Sequence, residues 1–91
     1  MDLSERLEAL LTAAEELGVE IRAEPMGGEG GGMCRLKGRH VLFVDTSADV
    51  ATRYDRTLAA MANLPELEGR YLVPEVRHDL ERYREHAARG T

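Results

Sequence analysis

Ninety-one residues, 43% hydrophobic and 32% charged, describe one folded domain, residues 1–91, with a small core, and exclude a disordered chain. The net charge of −5, with acids and arginines interspersed and a single lysine, speaks against a broad nucleic-acid or anionic-membrane surface. One cysteine excludes an internal disulfide framework. No apolar run approaches the roughly twenty residues of a membrane span, and MDLSERLEAL lacks the pattern of a signal peptide, so a cytoplasmic protein is expected.

Leu3, Leu7, Leu10, Leu11, Ala14 and Leu17 recur at helical spacing, which predicts a helix over 3–17. Asp2 with Glu5 can cap its start, and Gly18 suits the left-handed position after its end. Residues 19–24, VEIRAE, then alternate apolar and charged as a half-buried strand does, with the charges marking an edge or solvent-facing surface, and Pro25 ends the run.

The glycine-rich stretch 27–32, GGEGGG, admits two readings. A phosphate-cradling loop needs a lysine and a hydroxyl at fixed spacing and then a helix, whereas Met33-Cys34-Arg35 and a strand follow here. A connection, or backbone lying close against a neighbouring element, is the better match. Lys37-Gly38 reads as a two-residue hairpin turn, since glycine takes positive φ without steric cost. Pairing outward sets Leu36 opposite Arg39, Arg35 opposite His40, Cys34 opposite Val41 and Met33 opposite Leu42. Side chains alternate along a strand, so Cys34, Leu36, Val41 and Phe43 share one face, which is expected to meet the helices. Met33, Arg35, His40, Leu42 and Val44 share the other, mixed face. The unbroken apolar run Val41 to Val44 predicts a central strand.

Thr46-Ser47-Ala48-Asp49 has the form of a capping box and predicts the start of a second helix with Val50, Tyr54, Leu58, Met61 and Ala62 as its buried stripe. Asn63 and Pro65 end it. A short polar connection, 66–72, leads to a third helix opened by Pro74, striped by Val76, Leu80, Tyr83 and Ala87, and closed by Gly90. The fold predicted is α+β: an N-terminal helix, a three-stranded antiparallel sheet and two C-terminal helices packed on one face. Leu7, Leu10, Phe43, Leu58 and Leu80 are expected at its centre.

Cys34 is either a reactive thiol beside the glycine loop or a small buried hydrophobe. The second is the commoner fate, because Arg35 points to the opposite face and no protease signature or resolving cysteine accompanies it. His40, His78 and His86 do not pair at i, i+4, and neither HExxH nor CxxC occurs, so no zinc or other cofactor is expected. His40 with Arg35 can face one anion, and Arg70, Tyr71 and Arg77 can form an anion pocket at the start of the third helix. Against these stand the ordinary readings of solvated and packed side chains. Asp49 is better explained as a cap than as half of a carboxylate pair with Asp45.

The run GGMCRLKGRHVLFVDTSADVATRYDRTLAAMANL, followed by YLVPEVRHDL, resembles a group of small uncharacterised bacterial proteins with a Gly-Gly-x-Cys strand and a Pro-x-x-Arg segment. That resemblance implies no activity. The helix–strand–hairpin–helix order is more distantly similar to minimal zinc metallopeptidases that cleave repressors. In those the helix after the hairpin carries HExxH, whereas residues 57–63 here read TLAAMAN, so the resemblance implies shared architecture without the zinc chemistry. The leading functional expectation is a small cytosolic, non-enzymatic interaction module that self-associates as a homodimer through Met33, Leu42 and Val44. The competing one is a small-ligand-binding or thiol-dependent enzyme using the glycine-rich loop and Cys34, with Arg35, His40, Arg70 and Arg77 as candidate ligand contacts.

Overall fold

The structure, a computed structural model, describes residues 1–29 and 31–89. Helix α1 spans Leu3–Glu16. Its predicted cap is present as a reciprocal capping box, the Glu5 N–H donating to the Asp2 carboxylate at 2.8 Å and the Asp2 N–H to Glu5 at 3.0 Å. The helix ends in a Schellman motif around Gly18 at φ +84°, where the Val19 N–H reaches the Ala14 carbonyl and the Gly18 N–H that of Glu15. Strands β1 (Glu20–Glu24), β2 (Gly31–Leu36) and β3 (Arg39–Asp45) follow, then α2 (Val50–Met61), a 3₁₀ turn over Pro65–Gly69, and α3 (Pro74–Arg89).

The hairpin register is the predicted one, from Leu36 opposite Arg39 to Met33 opposite Leu42. Its turn carries positive φ at both Lys37 (52°) and Gly38 (78°), the backbone of a type I′ turn. β3 is central, as its apolar run predicts, but the sheet is mixed rather than antiparallel. β1 pairs with β3 in parallel, in the order β1-β3-β2. The loop after β1 crosses the C-terminal end of β3 and sets β2 on the far side. The hairpin then returns β3 between its neighbours, running the same way as β1. The most apolar strand thereby gains a ladder on both edges.

The parallel register also decides which face is inside, and it is the opposite of the one expected. Glu20, Arg22 and Glu24 stand beside Val41, Phe43 and Asp45, while Ile21 and Ala23 stand beside Leu42 and Val44. Burying the Cys34 face would have dragged three charged β1 side chains out of water, which costs far more than exposing a cysteine and a leucine. So Leu42 and Val44 are buried, with Met33 packed against them, whereas on the other face Cys34 and Leu36 are exposed, Phe43 is half-buried outside the core and only Val41 is buried as expected. Leu42, at 0% exposure, is a core residue and not a dimer contact.

All helices lie on that inner side: α2 against β2 and β3, α1 against β1 and α2, and α3 against α1 and α2. Four of the five expected central residues, Leu7, Leu10, Leu58 and Leu80, are buried together with Met61, Leu67, Leu72 and Val76. Truncating one such leucine to alanine costs about 2–5 kcal/mol. Two boundaries differ from expectation. α2 starts at Val50 with Asp49 as its N-cap, accepting the Thr52 N–H at 2.7 Å, so Thr46 does not open it. The connection before α3 is not merely polar, because its turn drives Leu67 into the core. Ala87 is exposed, and the predicted stop at Gly90 lies outside the described residues.

Candidate functional site

The outer face of the sheet is the surface that the helices leave open. Along it run Leu36 (44% exposed), Cys34, the half-buried Phe43 and, from the crossing loop, Met26. Val41 forms the floor of a hollow of about 330 Å³ walled by Glu20, Arg22, Leu36 and Arg39. A second hollow of about 250 Å³ joins Met26, Cys34 and Phe43 beside the loop. Leu36, Cys34 and Phe43 share this face because side chains alternate at period two along each strand of a hairpin.

Charges of both signs border it. The Arg22 guanidinium meets the Glu20 carboxylate at 2.6 Å and lies 5.9 Å from the Phe43 ring centroid. That hydrogen bond, and then the charge behind it, holds the Glu20 carboxyl below its ordinary value. Arg39 and Lys37 add positive charge toward the hairpin tip, and Glu24 adds negative charge near the loop.

Asp45 positions the loop end of this surface. Its fully buried carboxylate accepts the N–H of Met26 at 2.8 Å, of Gly28 at 2.6 Å and of Ser47 at 2.8 Å. Gly27 and Gly28 sit at φ +88° and +91°, a backbone that glycine adopts without steric cost. The glycine-rich loop does cradle an anion, and that anion is the protein's own Asp45 side chain. Gly31 fits the close-approach reading, because any Cβ there would collide with the Phe43 carbonyl. Gly30 lies outside the described residues.

The candidate residues read from the sequence fall in three places. Cys34 is exposed on the outer face, not buried as the commoner reading had it. Arg35 and His40 face each other across the hairpin on the inner register, away from Cys34. Arg70 donates to the Glu16 carbonyl at 2.7 Å, closing the end of α1, and Arg77 donates to the Arg70 carbonyl at 2.6 Å. Those two guanidiniums are therefore engaged with main-chain carbonyls, and Tyr71 beside them is 78% exposed.

Sequence reasoning missed a second polar cluster. Asp79 of α3 accepts the Tyr54 hydroxyl at 2.7 Å and the Arg6 guanidinium at 2.9 Å, tying α1, α2 and α3 together. Burial first, and then the hydrogen bond to Asp79 and its charge, push the Tyr54 phenol well above its ordinary value. The available signal was a tyrosine within an apolar stripe, since a buried hydroxyl requires a partner. Among the described residues, no group of three or more His, Cys, Asp or Glu side chains converges as a metal-binding cluster. No helix among the described residues is long and apolar enough to cross a membrane. No family model matches the chain, and neither a curated protein nor a solved structure is significantly similar to it.

Proposed function

We propose that this protein is a cytoplasmic, non-enzymatic interaction module that works as a homodimer, with the outer face of the sheet as its interface. One observation carries the reading: the apolar side chains of Leu36, Cys34 and Met26, exposed, and of Phe43, half-buried, lie on the sheet face that the helices do not cover. A contiguous apolar surface rimmed by polar side chains marks an interaction site. The rim favours a second copy as the occupant. A two-fold interface brings each patch against itself, so it must contain its own complement, and the acids Glu20 and Glu24 alternate here with Arg22 and Arg39. The engaged loop amides and the separation of Cys34 from Arg35 and His40 weigh against a ligand-cradling or thiol-dependent enzyme.

Leu36→Glu tests the interface without touching the core, because Leu36 is exposed in the single chain. Sedimentation equilibrium is expected to show a wild-type dimer at micromolar concentration and a monomeric variant with an unchanged circular dichroism spectrum. Thiol labelling of Cys34 should be fast in dilute wild-type protein and slow at high concentration, and fast throughout for the variant. A wild-type monomer at high micromolar concentration, or a variant that dimerises as well as wild type, refutes the proposal.

A further inference from the structure

A second surface lies on the helical layer. Between α1 and the extended segment 71–73 runs a groove of about 410 Å³. Its floor is apolar and shallow, built from Ala9 and Ala13 of α1 and from Leu72 and Val73 opposite. Glu8 and Glu16 line one bank, and the 78%-exposed ring of Tyr71 stands on the other. Small residues on the helix let a chain approach closely. An aromatic side chain with one apolar and one wet end is the type that anchors interfaces.

The charges identify the occupant. Among the described residues neither Glu8 nor Glu16 has an ion-pair partner. The last turn of α1 holds no basic residue, so Glu16 sits at the negative end of the helix, where an added cation is favoured. Arg70 answers part of that need through the Glu16 main-chain carbonyl, leaving the side-chain carboxylate facing the groove. Glu8 and Glu16 are eight residues apart on α1, a rise of about 12 Å along the helix axis with their side chains offset by about 80° around it. An extended chain covers that distance in about four residues and presents residues i, i+2 and i+4 to one side.

We propose that this groove binds an extended basic segment of a partner protein. Two cationic side chains four residues apart pair with Glu8 and Glu16, and the aliphatic side chain between them rests on Ala9 and Ala13 beside Tyr71. The surface is separate from the sheet face, and its occupation does not depend on dimerisation.

The probe is a capped heptapeptide with arginine at positions 2 and 6, leucine at 4 and serine elsewhere, titrated into isotopically labelled protein and followed by amide chemical shifts. The same titration on the Leu36→Glu protein separates this site from the dimer. Shifts confined to residues 8–16 and 71–73 in both proteins are expected. The double variant Glu8→Gln, Glu16→Gln should weaken binding roughly fivefold, since exposed ion pairs are individually modest, and added salt should weaken it further. Tyr71→Ala should weaken it independently of salt. The proposal is overturned by silence up to millimolar peptide, or by equal binding of the peptide with glutamates in place of arginines. Groove resonances that move with protein concentration alone would also overturn it, because they would assign the groove to a second copy.

Discussion

Asp45 is the side chain on which the crossing loop depends, and replacing it gives a sharp measure of that dependence. Its two oxygens divide the work: Oδ1 accepts from Met26 and Ser47, Oδ2 from Gly28. Asp45→Ala removes the acceptor from these donors, Met26, Gly28 and Ser47 among the described residues. A buried N–H left unpaired costs about 1–3 kcal/mol, and because Met26, Gly28 and Ser47 are exposed residues that water can reach, the lower end applies to each. The expected loss is therefore about 3 kcal/mol, out of roughly 5–14 kcal/mol for a domain of this length. Asp45→Asn keeps an oxygen for Met26 and Ser47 but turns an amide donor toward the Gly28 N–H, so about 1–2 kcal/mol is lost. Urea unfolding followed by far-ultraviolet circular dichroism should rank wild type above Asn and Asn above Ala, with the slope unchanged. At about 4–8 °C per kcal/mol, the alanine variant should melt roughly 12–24 °C lower. Amide exchange at Met26 and Gly28 should quicken in both variants. An alanine variant within about 0.5 kcal/mol of wild type, with the loop amides still protected, would falsify the anchoring role.

Gly38→Val forces a β-branched residue to φ +78° and should destabilise by about 1–3 kcal/mol, and an unchanged thermal midpoint would rule out strain at the turn. Tyr54→Phe removes the hydroxyl bond to Asp79 and should cost about 1 kcal/mol at neutral pH. Folding raises the Tyr54 phenol above its unfolded value of 10.0, so its contribution is complete below that pH and falls away as pH rises beyond it. Urea midpoints from about pH 8 to 11 should drop more steeply for wild type than for the phenylalanine variant, and parallel curves would contradict the linkage.

Much of the architecture was legible because it is written in local rules. Asp2 with Glu5 and Gly18 mark the two ends of α1 through orphan main-chain groups that any helix must satisfy. Lys37-Gly38 marks the turn, and the turn sets the hairpin register from neighbour to neighbour. The apolar run of β3 marks a strand with partners on both sides. Each of these depends on residues a few positions apart.

Three features were decided by contacts between distant segments. Period two alone picks the wrong inward face of the hairpin, because Cys34, Leu36, Val41 and Phe43 carry no charge whereas Met33, Leu42 and Val44 alternate with Arg35 and His40. The charges of Glu20, Arg22 and Glu24 reverse that choice once β1 lies parallel beside β3. The role of the glycine-rich loop rests on an anion that follows it in the chain, nineteen residues beyond Met26 at Asp45, and no spacing rule connects the two. The candidate surface follows from both. The same alternation that hides Leu42 exposes Leu36, and the loop that Asp45 holds brings Met26 alongside Cys34 and Phe43. Local chemistry thus determined which residues are strand, turn and helix. Which of them meet water was settled by the energetic cost of burying charge across a ladder that only the folded chain assembles.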